Sequence, residues 1–230
     1  MATRLRSASV DLSLLSDQVY ELFKSEILAG SLRSGERVTV SGLAARIGLS
    51  PTPVRDALRR LSTDGLVDVL PRRGTIVAAF DARSIGEIFH IRRIIECAAA
   101  DELPSAPEAI LIQMFDLAKA MEALRTEEIF SDYDAFSSLD TDFHRCITKV
   151  LENRRLSQFY ETLRWPIMVV RALSRSPFQR AQATVAEHED IAQAFRLRDV
   201  PRAKEAIIKH LRNAEADLLQ RRSGDARGGS

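Results

Sequence analysis

Two short amphipathic segments, separated by a glycine and a proline, constrain the fold of this chain more than any other feature. Residues 41–47 carry an apolar stripe at helical spacing, which has to face a core. Gly48 suits a sharp turn, because a glycine just after a helix adopts the left-handed conformation at low steric cost. Ser50 and Pro51 then suit the start of a second helix, as capping residue and first-turn proline. The pattern predicts a helix-turn-helix.

The second helix has one apolar face and one polar face. Its apolar face consists of Val54, Ala57, Leu58 and Leu61. The opposite side begins with Ser50, Thr52 and Arg55, two short hydroxyls and a guanidinium that is able to bind a guanine through two hydrogen bonds. We therefore expect this helix to enter the major groove of DNA with its N-terminal turn first.

A hairpin is predicted directly after the second helix. Residues 66–70 and 75–79 are rich in β-forming residues, and the loop between them carries Arg72 and Arg73. Two cations at a hairpin tip suit phosphates or a minor groove, and Gly74 allows the backbone to approach the DNA closely. The hairpin therefore predicts the wing of a winged helix-turn-helix.

The motifs L-A-A-R-I-G-L-S-P-T-P-V-R-D-A-L-R-R-L, D-G-L-V and P-R-R-G-T-I-V lie between about Asp17 and Phe80. In these motifs the stretch resembles the GntR family of bacterial transcription regulators. The resemblance implies double-stranded operator DNA as a partner. It implies the following DNA contacts: Arg33, Ser50, Thr52, Arg55, Arg59, Arg72, Arg73 and Gly74.

The rest of the chain shows helical periodicity and no strand pattern. We predict helices near residues 83–102, 107–126, 131–151, 155–173, 179–197 and 200–220. The predicted fold is mainly α, with an N-terminal winged helix-turn-helix and a C-terminal all-α antiparallel helical bundle. The predicted divisions are a flexible tail at 1–15, the DNA-binding domain at 16–80, an effector-binding and dimerisation domain at 81–220, and a disordered tail at 221–230.

No run of about 18 apolar residues is present, so no membrane span is expected. The N-terminus lacks the long apolar core of a signal peptide, and the two cysteines fit free thiols. These features predict a cytoplasmic protein.

Four polar residues in the predicted bundle have the composition of a metal site. Asp140 and His144 stand four residues apart, so they project from one helix face. His188 and His210 lie 22 residues apart, and two antiparallel helices with a short turn would bring them level. One carboxylate and three imidazoles suit Zn or Ni, with Mn or Fe as alternatives. Single histidines within helices are, however, more often structural, and the residues alone leave both interpretations open.

The motifs D-x-x-F-H-x-x-I, E-H-x-x-I-x-x-A and K-H-L extend the resemblance beyond the wing. They are similar to the FCD effector domain of the FadR subfamily, over about residues 85–218. This resemblance implies a divalent metal ion on Asp140, His144, His188 and His210 that helps to hold a small organic acid effector. His90 matches no ligand position and is expected to be a packing or surface residue.

Arg92 and Arg93 are candidates for binding the effector. Arg92 and Glu96 are four residues apart, a spacing that by default forms a weak ion pair on a helix surface. Alternatively, Arg92 or Arg93 points into the bundle and binds a carboxylate of the effector.

We therefore predict a ligand-responsive transcriptional regulator, a repressor that binds a pseudo-palindromic operator as a homodimer, since one winged helix covers only a half-site. A regulator for which the metal itself is the signal is a second hypothesis. A metal-dependent hydrolase or lyase is a third, but no Walker loop, G-x-S-x-G or H-E-x-x-H motif is present. We therefore expect that the protein is not an enzyme.

Overall fold

The computed structural model divides the chain into two compact units, Met1–Ala79 and Phe80–Ser230. It describes residues 12–70, 74–79, 81–124, 133–163, 166, 168 and 178–228.

The first unit combines three helices with a small sheet. Its elements are α1 (Leu12–Leu28), β1 (Arg37–Val38), α2 (Val40–Ile47), α3 (Pro51–Thr63), β2 (Val67–Leu70) and β3 (Gly74–Val77). The sheet is antiparallel in the order β1-β3-β2, and Val67 stands opposite Val77. The predicted apolar face of α3 is buried, with Val54, Ala57 and Leu61 fully inaccessible to solvent.

Local interactions fix the turn between α2 and α3. Thr39 caps α2 by accepting a hydrogen bond from the Gly42 amide at 3.0 Å. Gly48 ends α2 with a positive φ of 68°, as the turn requires. Pro51 is the first residue of α3, and Ser50 precedes it as the N-cap. The hydroxyl of Ser50 makes no capping hydrogen bond, so the cap that we expected from this side chain is absent.

Two features of the first unit differ from expectation. Helix α1 begins at Leu12, so it includes the last residues of the predicted tail at 1–15. Leucines propagate a helix at little cost, so the helix extends into this segment. The third strand, β1, was not predicted, because two residues are too few to show an alternating pattern.

All regular secondary structure among the described residues of the second unit is helical. Its helices are α4 (Ala82–Asp101), α5 (Glu108–Ala123), α6 (Tyr133–Lys149), α7 (Arg154–Glu161), α8 (Phe178–Arg196) and α9 (Val200–Gly228), with a short 3-10 helix at Leu103–Ser105. Helix α4 packs on α6 and α9, while α5 packs on α6 and α8. The core between these helices includes Met114, Phe143, Ile191, Phe195 and Ile207, all fully buried.

Most helix positions agree with the sequence prediction, and two differ. The predicted helix at 155–173 corresponds to α7 up to Glu161, and most of the remainder lies outside the described residues. Helix α9 runs to Gly228, although we expected a disordered tail from residue 221. Once a helix exists, each added residue gains a backbone hydrogen bond without a new nucleation cost, so α9 continues beyond the buried Leu218.

The predicted fold class is confirmed: a winged helix-turn-helix is followed by an all-α bundle in the described residues. Among the described helices, none combines the length and the apolar character that crossing a bilayer requires.

Candidate metal centre

Three histidines from three helices meet inside the second unit. His144 on α6, His188 on α8 and His210 on α9 each expose 3% or less of their surface. The Nε2 atom of His144 lies 3.3 Å from Nε2 of His188 and 3.1 Å from Nε2 of His210. The three rings therefore direct the same kind of nitrogen towards one point.

The helix connections explain this meeting. Helices α8 and α9 are joined by residues 197–199, and Asp199 caps α9 by accepting a hydrogen bond from the Arg202 amide at 3.1 Å. So short a connection turns the chain back on itself and brings His188 level with His210. Asp140 stands one helical turn before His144 on α6, and its Oδ1 lies 3.6 Å from Nε2 of His188.

The outer nitrogen of each ring contacts a group that only accepts hydrogen bonds. Nδ1 of His144 donates to Oε2 of Glu96 at 2.9 Å, and Nδ1 of His210 donates to Oε2 of Glu187 at 2.8 Å. Nδ1 of His188 lies 3.3 Å from the thioether sulfur of Met121. In neutral rings these contacts put the proton on Nδ1 and leave a lone pair on each converging Nε2.

The arrangement fits a divalent cation. Three lone pairs that face one another in a buried space repel unless a positive charge lies between them. Ligand nitrogens about 2.1 Å from a metal stand about 3.0 to 3.4 Å apart in octahedral or tetrahedral geometry. The separations of 3.1 and 3.3 Å fall in this range. His144, His188 and His210 could hold the ion, and the nearby carboxylate of Asp140 is suited to a fourth position.

Burial and hydrogen bonds shift the pKa values around this centre. Burial raises the pKa of Glu96, but the charge of Arg92 and the contact with His144 outweigh it and hold the pKa at about 2. Burial similarly opposes the hydrogen bonds of Glu187 from His210 and Arg180, which lower its pKa to about 2. Burial lowers the pKa of His210 to about 4, against the opposing effect of Glu187. Both carboxylates are therefore ionised, and His210 is neutral, at neutral pH.

Arg92 and Arg93 have different surroundings. Arg92 is 2% exposed, and its Nε donates to Oε1 of Glu96 at 2.9 Å and to the hydroxyl of Tyr160 at 3.1 Å. The default expectation of a surface ion pair with Glu96 is therefore wrong, because both partners lie inside the bundle. Within the described residues, Nη2 of Arg92 is buried and has no hydrogen-bond partner. Arg93 instead pairs with Glu215 at 2.6 Å near the surface.

Sequence reasoning missed the groups that orient the histidines. Glu187 directly precedes His188, yet it contacts His210, on the next helix. Glu96 on α4 contacts His144, and Tyr160 on α7 contacts Glu96. Nothing in the sequence links either pair. The buried Glu96 could have been found only as a carboxylate in a helix whose apolar stripe includes Ile95 and Ala99.

The residues expected to contact DNA lie in the first unit, and the described ones are solvent-exposed. They are Arg33, Ser50, Thr52, Arg55, Arg59 and Gly74. Arg72 and Arg73 lie outside the described residues. His90, to which we assigned no metal, is exposed on α4.

The arginines of α3 divide into two groups. Arg60 pairs with Asp17 and stacks on the ring of Tyr20, with 4.2 Å between guanidinium carbon and ring centroid. Arg55 and Arg59 form no ion pair within the described residues, and they share one face of α3 with Thr52. That face carries two exposed guanidiniums that no internal contact accounts for.

Family models match both units. The model described as bacterial regulatory proteins, gntR family, matches residues 15–77. The model of the FCD domain matches residues 87–213, which is more than half of the chain.

Curated relatives match most of the chain. The HTH-type transcriptional repressor RspR of Escherichia coli (strain K12) is 24% identical over 206 residues, which cover 90% of this chain and 90% of that protein. The gluconate operon transcriptional repressor of Bacillus licheniformis is 26% identical over 182 residues, with coverage of 76% and 73%. The solved structure of a transcriptional regulator GntR from Rhodococcus sp. RHA1 has a TM-score of 0.69 at 21% identity, covers 89% of this chain and 97% of its own, and shows the shared fold.

Proposed function

The chain belongs to the GntR family of bacterial regulatory proteins and carries an FCD domain, and we propose that this transcriptional regulator is a repressor controlled by a small organic acid. In this proposal the acid binds in the helical bundle beside a divalent metal ion, and the protein binds a pseudo-palindromic operator as a homodimer. The membership that we propose within the family is the FadR subfamily.

One observation carries the effector part of the proposal. The three converging Nε2 atoms are suited to hold a cation, and Nη2 of Arg92 is a buried N–H donor without a hydrogen-bond partner in the described residues, which suits an anion. A divalent ion bound there would supply positive charge and open coordination positions for a carboxylate. Arg92 would donate Nη2 to the same acid, while its Nε stays bound to Glu96.

Two carboxylates orient the metal-binding rings: Glu96 of α4 contacts His144, and Glu187 of α8 contacts His210. Glu187 fixes the ring of His210, and Arg180 and Asn213 hold Glu187 at 2.8 and 2.7 Å. Such outer partners keep metal-binding imidazoles in one tautomer and orientation. The hydroxyl of Tyr160 donates a hydrogen bond to Glu96 at 2.5 Å and so helps to hold Glu96 against His144.

The DNA part of the proposal rests on the exposed face of α3. Arg55 would read a base edge in the major groove, and Ser50, Thr52 and Arg59 would contact bases or phosphates nearby. Arg33 and Gly74 would lie near the backbone, together with Arg72 and Arg73 of the wing. One such unit covers a half-site, so a two-fold symmetric dimer supplies the second.

The chemical class of the proposed effector follows from the metal ion and the Arg92 guanidinium that would bind it. A carboxylate suits both the metal and Arg92, and a neighbouring hydroxyl on the acid would suit a second metal position. One relative is named for the gluconate operon, and gluconate is a hydroxy acid of this class. Gluconate is therefore one probe among several, together with acetate, lactate and citrate.

The test is a matrix of thermal melts on full-length protein. Metal-stripped protein is reloaded with Zn, Ni, Mn or Fe(II) and melted with each of the four acids. An acid at about 100 times its dissociation constant stabilises the protein by about 2.7 kcal/mol. We expect a shift that needs both metal and acid, and the same pair should change the affinity for operator DNA.

Other outcomes separate the alternatives. An operator response to metal alone, unchanged by every acid, would identify a metal sensor. No shift with metal in any combination would make the histidines structural and overturn the metal-assisted site.

A further inference from the structure

Glu96 has two oxygens that serve different partners. Oε2 accepts the Nδ1 proton of His144 at 2.9 Å, and Oε1 accepts from Nε of Arg92 at 2.9 Å. The hydroxyl of Tyr160 also donates to Oε1, at 2.5 Å. A carboxylate is planar and rigid, so a displacement at one oxygen displaces the other. Glu96 therefore links a metal-ligating ring to a guanidinium through a single rigid group.

The guanidinium at the other end of this link is buried and is held by Glu96. Arg92 is 2% exposed and Glu96 is fully buried. Nε of Arg92 is held by Glu96 and Tyr160, whereas Nη2 has no hydrogen-bond partner in the described residues. The direction in which Nη2 points therefore depends on where Glu96 holds Nε.

Glu187 provides a comparison inside the same centre. Its Oε2 accepts the Nδ1 proton of His210 at 2.8 Å, as Glu96 does for His144. Its other contacts are Arg180 and Asn213, and it makes no contact with Arg92 in the described residues. Each carboxylate thus accepts the Nδ1 proton of one histidine, but only Glu96 also contacts Arg92.

We propose that Glu96 couples the metal to the effector acid, so that binding at the three histidines and binding at Arg92 favour each other. This inference rests on the proposed function and adds a residue that touches neither ligand. Metal binding at Nε2 fixes the ring of His144, the ring fixes Glu96, and Glu96 fixes Arg92 for the acid. Coupling of this kind is reciprocal, so the acid tightens metal binding by the same factor.

The experiment measures Zn affinity by calorimetry with and without a saturating acid, in wild-type protein, Glu96→Gln and Glu187→Gln. The probe is whichever of acetate, lactate, gluconate or citrate most increases the Zn affinity of the wild type. The ratio of the two affinities is the coupling factor, and factors of about 5 to 150 are common. Any direct contact between acid and metal is shared by both variants and cancels in their comparison.

Both substitutions should weaken Zn binding by about 10- to 100-fold, because each removes an acceptor from a ligand histidine. Glu187→Gln should keep the wild-type coupling factor. Glu96→Gln should lower that factor several-fold, because the amide cannot accept from both Arg92 and His144. Glu96→Asp is a second variant, for the case that Glu96→Gln does not fold. It retains the buried charge but is too short to span both partners, so its factor should fall as well.

The outcomes distinguish this inference from the function on which it rests. A coupling factor equal in wild-type protein, Glu187→Gln and whichever Glu96 variant folds would overturn the role of Glu96 and leave the metal-assisted site intact. Zn affinity that no acid changes in the wild type would overturn the proposed function itself.

Discussion

The Nε2 atoms of His144 and His210 lie 3.1 Å apart in the interior of the bundle. Each ring donates its Nδ1 proton to a carboxylate, Glu96 in one case and Glu187 in the other. Neither Nε2 then carries a proton in the neutral ring, so the two Nε2 atoms cannot form a hydrogen bond with each other. A cation is the partner that satisfies both nitrogens at once, which leads to the first prediction.

His188→Ala should abolish the thermal stabilisation of the protein by Zn or Ni. Loss of an outer partner alone typically costs about 10- to 100-fold in metal affinity, and loss of a ligand should cost at least as much. His90→Ala is the matched control, because His90 is exposed on α4. Equal metal-induced shifts in both variants, measured by calorimetric melting, would contradict the assignment of His188.

Two ion pairs of identical spacing on α4 should differ in their effect on stability. Arg92 and Glu96 are 2% and 0% exposed at the side chain, whereas Arg83 and Glu87 are 86% and 62% exposed. Arg92→Ala should lower the free energy of unfolding by about 3 to 5 kcal/mol, because Glu96 is left charged and buried. Arg83→Ala should leave it unchanged within error.

A double variant tests the cause of that loss. Arg92→Met combined with Glu96→Gln removes both buried charges, so much of the stability lost in Arg92→Ala should return. Urea unfolding of both proteins gives the comparison. A double variant that is less stable than Arg92→Ala would show that the loss comes from packing rather than from an unpaired charge.

Arg55→Ala should remove specific operator binding without changing the melting temperature. Its side chain is exposed on α3 and makes no ion pair in the described residues, so the fold does not depend on it. Loss of a guanidinium on a base edge costs about 1 to 3 kcal/mol in discrimination. Arg83→Ala removes an equally charged exposed group from the other unit and should bind the operator normally. Fluorescence anisotropy with operator and scrambled DNA measures both, and unchanged discrimination in Arg55→Ala would refute the recognition-helix assignment.

The metal-free protein should lose stability as the pH falls below about 6.5. His210 has a pKa near 4 in the folded chain against an ordinary value of 6.5, so the unfolded state takes up its proton first. The contribution of His210 is complete above pH 6.5 and is lost as the pH falls to 4, with a slope approaching about 1.4 kcal/mol per pH unit.

The carboxylates of Glu96 and Glu187 extend the loss of stability to lower pH. The pKa values of Glu96 and Glu187 are lowered from 4.5 to about 2, so their contributions are present above pH 4.5 and are lost as the pH falls further. Urea unfolding across the range measures the slope. In His210→Gln, which keeps a donor for Glu187, the slope between pH 6.5 and 4 should be shallower, and an identical slope would exclude His210 as its source.

Local features of the sequence were sufficient to predict most of the helices and the hairpin of the wing. The turn at Gly48, the start of α3 at Pro51 and the one-turn spacing of Asp140 and His144 each depend on residues within one or two helical turns. The connection capped by Asp199 also accounts for the level positions of His188 and His210. Short-range backbone interactions fix the turn, the helix start, the spacing and the connection, so these features can be derived from neighbouring residues.

The groups that orient the centre could not be predicted in this way. Glu96 reaches His144 across 48 positions of sequence, and Tyr160 reaches Glu96 across 64. Arg83 with Glu87 and Arg92 with Glu96 have the same chemistry and spacing, yet one pair faces solvent and the other faces the core.

The sequence alone therefore determined the helices, the winged helix-turn-helix and the candidate ligands, because periodicity, caps and turns are local. Only the tertiary structure decided that Arg92 and Glu96 are buried and that Glu96 and Glu187 hold the histidines. Those outcomes depend on how α4, α6, α7, α8 and α9 pack against one another, and packing sets the cost of burying each charge.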